Sequence, residues 1–278
     1  MIYDGHVHTP FCPHGTSDSM YAYCEMAVKH NLKGITFAEH APLPPSFVDP
    51  TPNQDSAMFL SQLPAYFNQI KEMKKEFKGH LIISTGLEVD YIEGFELETK
   101  KFLNEYGPLL DDSILSVHFL KINDDYVCID YSPEVFAQAA IELKSVENVH
   151  HLYYQTVHSS IKADLGAHKP TRIGHMTLAR KFHKKFPVTE SFSEITNGIL
   201  LDIIKKGYEL DYNGAGSIKP LCREPYPNKQ VLNRAIELNI PLVYGSDAHQ
   251  VKELLNGFEQ LNKEARLQQP SRLDELGR

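Results

Sequence analysis

His6 and His8, in the run IYDGHVHTP, stand two residues apart. In extended backbone that spacing points both imidazoles to one side, a natural chelate for a divalent metal. The same chemistry recurs down the chain: His14 in CPHG, His40 in AEH, Glu88 in GLEVDY, His118 in SVH, His175 in IGH, and Asp247 with His249 in SDAH. One such histidine alone is ordinarily a hydrogen-bonded structural residue. Seven imidazoles and two carboxylates on a single rim are another matter, because without cations their charge is poorly compensated. They also exceed what one ion uses: zinc commonly takes four ligands and, when catalytic, leaves a position for water. About three ions with bridging carboxylates fit the set, and a histidine-rich, thiolate-free set suits zinc, manganese or iron. A hydroxide bridging such ions is a strong nucleophile near neutral pH, and the ions neutralise a phosphate ester's charge, so the expectation is hydrolysis rather than redox chemistry.

Something must carry these side chains to one place. Short apolar runs read as strands at Ile2–Val7, Gly34–Ala38, Leu81–Val89, Ile114–Phe119, Arg172–Met176, Gly207–Tyr212 and Pro241–Gly245. Amphipathic stretches between them read as helices: from Ser17 or Asp18 to Asn31, Asp55–Phe77 with a possible break at Pro64, Glu96–Tyr106, Pro133–Gly166 in one or two pieces, Thr189–Lys206 and Lys229–Asn239. The prolines at 42, 44, 45, 50 and 52 make the stretch between them a loop. Alternating strands and helices predict a parallel sheet, and about seven units in one domain favour a closed or distorted (β/α)7 TIM-like barrel, with an open doubly wound sheet as the alternative. Six of the seven strands end in a metal-binding residue type, and in a barrel those ends converge on the face where active sites lie. Residues 1–267 are expected to form the barrel and 268–278 a polar, loosely held tail.

Composition sets the bounds. With 278 residues, 42% hydrophobic and 23% charged, the chain has material for one large soluble domain. A net charge of −8 argues against nucleic-acid or acidic-membrane partners, and the basic run Lys71–Lys78 alternates with acids like a solvated helix face. No apolar run reaches the roughly 18 residues of a membrane span, no export signal is legible, and the four cysteines form no CxxC pair, so a reduced, cytoplasmic protein is expected.

The ordered motifs HVHT (6–9), AEH (38–40), GLEVD (86–90), SVH (116–118), IGH (173–175) and SDAH (246–249) resemble those of the PHP (polymerase and histidinol phosphatase) family over nearly the whole chain. CPHG (12–15), EHAPLP (39–44) and YELDYNGAG–KPLCREPYP (208–227) are similar to its monofunctional histidinol-phosphate phosphatases. The resemblance implies a distorted (β/α)7 barrel with a trinuclear site. It implies that His6, His8, Glu88 and Asp247 hold one ion, Glu88, His118 and His175 a second, and His14, His40 and His249 a third. One departure stands out: Ser217–Ile218 occupy positions beside Lys219 where a basic residue is expected.

The expected activity is therefore hydrolysis of L-histidinol phosphate to L-histidinol and phosphate, in histidine biosynthesis. Asp247 is expected to orient the attacking water or take its proton, and His249 or a metal-bound water to protonate the leaving alkoxide. Arg172 and Arg223 are candidate phosphate ligands, since a guanidinium fork suits phosphate oxygens; Lys219 and Lys169 are weaker candidates. Asp90, Asp49 and Glu224 are candidates for receiving the substrate's cationic amine and imidazole. His158 and His168 read as structural, and His30, His80, His150, His151 and His183 as solvent-facing. Competing readings are a phosphoesterase for another small ester, a barrel amidohydrolase, and a non-catalytic metal-binding protein. Against the amidohydrolase, Glu88 rather than a lysine is the expected bridge.

Overall fold

The computed structural model describes residues 2–275. The seven expected strands are all present: β1 (Tyr3–Val7), β2 (Gly34–His40), β3 (Ile82–Asp90), β4 (Ile114–Ser116), then, after a hairpin of β5 (Phe119–Ile122) and β6 (Asp125–Cys128), β7 (Arg172–Ile173), β8 (Glu209–Asn213) and β9 (Leu242–Gly245). They pair in parallel in the order β1-β2-β3-β4-β7-β8-β9. Nearly every strand residue is buried, as in a parallel sheet covered on both faces.

The two edges meet just past β9. The Asp247 N–H donates to His6 O (2.8 Å), the His8 N–H donates to Ala248 O (3.0 Å), and Val7 bridges Ala248 in parallel. At its other end β9 pairs with an unexpected eighth parallel strand, β10 (Leu267–Gln268), through Leu267–Leu242 and Gln268–Val243. The barrel is thus closed around the C-terminal ends of its strands and splayed at the bottom. β10 crosses the expected domain boundary and is followed by a helix at Ser271–Glu275, whose Leu273 is fully buried. The tail is therefore packed rather than loose as far as residue 275; residues 276–278 lie outside the described residues. Polar composition hid this, since the docking is carried by one buried leucine, a two-residue strand and Ser271, whose N–H and hydroxyl donate to Glu209 (3.0 and 2.7 Å).

Helices fall close to expectation. α1 (Met20–Lys29) is capped by Ser19, whose hydroxyl accepts from Ala22 N–H, while Asp18 instead accepts from Val251 N–H. α2 (Leu63–Glu76) starts eight residues after the expected Asp55, with Pro64 in its first turn rather than breaking it, because the missing N–H of proline costs nothing there. α3 spans Glu96–Tyr106, and the long fourth crossover is two helices, α4 (Pro133–Glu142) and α5 (Val146–Lys162). α6 (Ser193–Lys206), the single turn α7 (Ala215–Ile218) and α8 (Lys229–Glu237) complete the outer layer, with Ser271–Glu275 as α9. No helix of the described residues is long and apolar enough to cross a membrane.

Candidate metal centre

All nine expected ligands come together at the C-terminal ends of the strands. Glu88, at the end of β3 and fully buried, is the hub. One carboxylate oxygen lies 3.1 Å from His40 Nδ1, 3.4 Å from His6 Nε2 and 3.7 Å from His8 Nε2; the other lies 2.9 Å from His175 Nε2 and 3.9 Å from His118 Nε2. Asp247 is the second focus, with Oδ1 3.1 Å from His8 Nε2, 3.8 Å from His6 Nε2 and 3.7 Å from His249 Nδ1. Its backbone has φ +53°, a left-handed conformation that aspartate tolerates better than most residues. The His14 ring stands 5.1 Å from both the His40 and His249 rings.

Most of these imidazoles are gripped from behind. The Nδ1–H of His6 donates to Asp211 (2.9 Å), that of His8 to Glu39 (3.0 Å), that of His118 to Asp90 (2.8 Å), that of His14 to Asp55 O (2.8 Å) and that of His249 to Asp247 O (3.0 Å). Such a bond fixes ring and tautomer and leaves Nε2 as a lone-pair donor facing inward, the arrangement found behind metal-ligating histidines. Gly245 makes room for it, since a Cβ there would lie 2.3 Å from Asp211 Oδ1 and 2.7 Å from His6 Cβ.

The electrostatics call for cations. Burial opposes protonating His6, yet Glu88, Asp211 and Asp247 drive its pKa well above the usual value. His8 is pushed up to about 9 against its burial, by Asp247 and Glu39, and His118 to about 10, by Asp90 and Glu88. Burial and the neighbouring His8 push His40 and His249 down. Burial would raise Glu88 and Asp247, but the surrounding imidazoles hold both well below the carboxylate range. Adjacent imidazoles are thus driven in opposite directions, and protons alone cannot satisfy the cluster. His6 Nε2, His8 Nε2 and His40 Nδ1 are also buried without a hydrogen-bond partner among the described residues. A buried imidazole nitrogen left so is costly unless something binds its lone pair. Four groups at this centre have donor atoms within 4.8 Å of one another: His6, His8 and Asp247; Glu88, His118 and His175; His40, Asp90 and His118; and His8, Cys12, His40 and His249.

A cavity of about 430 Å³ opens onto this centre, lined by His14, His40, Glu88, His118, His175, Asp247 and His249. The expected arginines are elsewhere. Arg172 begins β7 instead of ending it, so it lies about 10 Å down the strand from His175, inside the barrel floor. It is fully buried there, with Nη2 donating to Asp112 (2.5 Å) and Gly5 O (2.9 Å), and a Cβ on Gly5 would meet its Nη1 at 2.0 Å. Arg223 is exposed, its guanidinium turned to Ile218 O (3.4 Å). The basic side chains that line the cavity among the described residues are Lys181, paired with Asp130 at 2.8 Å, and Lys219. Lys169 instead donates to three carbonyls at the end of α5.

The acids expected to meet the substrate are also engaged: Asp90 by His118, Asp49 by Thr51 and Ser56, and Glu224 by Arg180. Asp55 and Glu253 line the cavity and are partly exposed. The reading of the sequence missed Glu39, Asp211 and Lys181. Glu209 and Asp211 alternate in YELDY, and two inward-facing acids on a strand otherwise buried in the core were a signal for the second. Lys181 follows His175 by six residues, in the short 3-10 helix Leu178–Phe182, and carried none.

The PHP domain family model matches residues 4–215. Histidinol-phosphatase of Bacillus subtilis is 49% identical over 260 residues, spanning 92% of this chain and 96% of that protein. The crystal structure of a candidate histidinol phosphatase from Listeria monocytogenes superposes with a TM-score of 0.88 at 39% identity, covering 94% of this chain and all of the other. Histidinol phosphate phosphatase from Lactococcus lactis, solved with zinc, L-histidinol and phosphate, has a TM-score of 0.72 over 98% of this chain and 97% of its own; at 22% identity that likeness is one of fold.

Proposed function

The chain belongs to the PHP domain family, and from that membership and the site's geometry we propose that it is a metal-dependent histidinol-phosphatase of the cytoplasm, hydrolysing L-histidinol phosphate to L-histidinol and phosphate. The observation that carries this reading is Glu88, buried beneath a cavity and within 3.9 Å of five imidazoles. Such a hub suits a bridging ligand. His6, His8, Glu88 and Asp247 would hold one ion, Glu88, His118 and His175 a second, and His14, His40 and His249 a third. Zinc, manganese and iron all suit these donors. When bound, the ions supply Lewis acidity, polarising the phosphoryl group and lowering the pKa of water.

The protein's own groups do the rest. Asp247, kept anionic and fixed by Asn213 Nδ2 at 3.2 Å, orients the attacking water in line with the scissile bond and accepts its proton. His249, with Nδ1 tied to Asp247 O and its pKa pushed down, has Nε2 committed as a ligand, so the proton that Asp247 accepted from the water is the one returned to the leaving alkoxide. Lys181 and Lys219 take the place proposed from sequence for Arg172 and Arg223, gripping phosphate oxygens from the cavity wall. Asp55 and Glu253 receive the cationic amine.

Selectivity tests the substrate. The kcat/KM for L-histidinol phosphate should exceed that for p-nitrophenyl phosphate or a nucleoside monophosphate by at least about a hundredfold, roughly 2.7 kcal/mol of differential transition-state binding. Equal rates on all three would leave a phosphatase and remove the histidine-pathway role.

A further inference from the structure

The turn after β1 brings a sulfur to the metal centre. Cys12 is buried and unpaired with any other cysteine. Its Sγ and one ring nitrogen each of His8, His40 and His249 lie within 4.8 Å of one another. The turn is tight: Cys12 N–H donates to Thr9 O (3.0 Å), and Gly15 N–H donates to Cys12 O (3.2 Å). Gly15 packs on the cysteine, where a Cβ would sit 3.1 Å from Cys12 Cβ. Burial, with Glu39 and Asp247 nearby, pushes the Cys12 thiol well above its ordinary value, so only a cation in contact with the sulfur would draw off its proton.

The imidazoles around the sulfur carry the second half of the argument. His8 has its Nδ1 on Glu39 and its buried Nε2 3.1 Å from Asp247, and His40 has its buried Nδ1 3.1 Å from Glu88, both outside hydrogen-bond geometry. The His249 Nδ1 is held by Asp247 O, which leaves Nε2 free to bind. Donors around one tetrahedral ion, with bonds of about 2.0–2.3 Å, stand roughly 3.3–3.8 Å apart, so a contraction of about 1 Å would close the group on a cation. His8 also belongs to the group with His6 and Asp247, toward which its Nε2 points at 3.1 Å from Asp247. The donors left for the other are Cys12, His40 and His249, with His14 beside them. His14, His40 and His249 line the cavity, so the sulfur completes this position from behind, away from where a substrate enters.

We propose that Cys12 is a thiolate ligand of the ion held by His40 and His249, making this position a mixed sulfur–nitrogen site selective for zinc over manganese. The proposal rests on the metal-centre reading above. Binding forms one sulfur–metal bond and releases the thiol proton to solvent, with no change of oxidation state. A soft thiolate among imidazoles favours zinc or cobalt and disfavours harder ions that prefer oxygen.

X-ray absorption of the full chain reconstituted with zinc alone, and optical spectra of the same protein loaded with cobalt alone, test it. The zinc shell should contain a sulfur at about 2.3 Å, and the cobalt protein a near-ultraviolet sulfur-to-metal charge-transfer band. Cys12→Ser should abolish both, while Cys128→Ser, which alters the thiol lining the cavity, should keep both. Zinc bound through nitrogen and oxygen only would overturn the proposal and leave the metal centre standing. Failure to take up zinc or cobalt at all would overturn both. Should Cys12→Ser fail to fold, the wild-type and Cys128→Ser spectra still decide, because signals lost with Cys128→Ser would assign the sulfur there instead.

Discussion

Arg172→Met separates two roles for the same residue. Three positions before His175, Arg172 is an attractive phosphate ligand in one dimension; in the barrel it is a fully buried cation under the metal centre. Its Nη2 meets Asp112 at 2.5 Å, and Asp112 also accepts from Thr36 Oγ1 (2.9 Å) and Ser113 N–H (2.8 Å). Burial pushes Asp112 above the usual carboxylate range even with the guanidinium beside it. Arg172 is pulled the other way: burial would weaken its charge, but Asp112, Glu209 and Asp211 outweigh that. The directions differ because one cation serves several acids, and the charged guanidinium is the state to rely on, since arginine does not deprotonate in proteins. Removing one member of such a buried pair costs about 3–5 kcal/mol, largely through the charge left behind. At about 2 °C per kcal/mol for a chain of this size, Tm should fall by ~6–10 °C. Below the transition, kcat/KM for L-histidinol phosphate should stay within about threefold of wild type, because the side chain lies about 10 Å from the metal-binding rim. Asp112→Asn added to Arg172→Met should recover part of the loss, since it removes the stranded charge. Thermal denaturation and steady-state kinetics on the same preparations are decisive. An unchanged Tm with a tenfold higher KM would refute the placement of Arg172 and restore it as a phosphate ligand.

The remaining expectations are briefer. Purified or reconstituted protein should hold about two to three equivalents of transition metal, and Glu88→Gln should lose more than one of them by elemental analysis; loss of a single equivalent would end its role as a bridge. Lys181→Met should lower kcat/KM roughly ten- to a hundredfold with metal content intact, as expected for a lost charge-assisted contact of about 1.5–3 kcal/mol, whereas exposed Arg223→Ala should leave the kinetics unchanged. His150 is held neutral, its pKa pushed down to about 3 by burial and by Arg180, His183 and His151, while the unfolded chain takes up a proton near the ordinary value. Its contribution is therefore complete above about pH 6.5 and is lost as pH falls toward 3, at about 1.4 kcal/mol per pH unit. Relative to its effect at pH 7, His150→Phe should gain about 2 kcal/mol at pH 5, read from urea titrations at the two pH values, and an equal effect at both would refute it.

The strands and the convergence of the candidate ligands were legible for one reason: all of these residues but His14 sit at the end of an apolar run, and a barrel sends such ends to one rim. Positions 34–40 and 82–90 therefore announce both a strand and what it delivers. The errors share a cause as well. Arg172 was placed by its distance along the chain from His175, but a strand has two ends, and the residue that opens it belongs to the floor of the barrel. His150 was read as solvent-facing because histidine is polar, although it falls on the same helical stripe as Tyr153, Tyr154, Val157 and Ile161, all buried. There the period was right and residue type overruled it.

The deeper gap lies behind the ligands. Glu39 bonds His8 across 31 residues and Asp211 bonds His6 across 205, so neither pairing has a local signature. What the sequence did offer was an anomaly: carboxylates inside runs otherwise built for the core, GITFAEH and YELDY. A buried acid needs a partner that holds its charge, and an imidazole whose other nitrogen is bound to a cation is such a partner. A strand acid with no visible reason is thus evidence for a histidine on a neighbouring strand, and pairing the unexplained acids with the explained histidines would have found both. The same accounting points to Cys12, a buried cysteine in no disulfide that stands two residues before the candidate ligand His14.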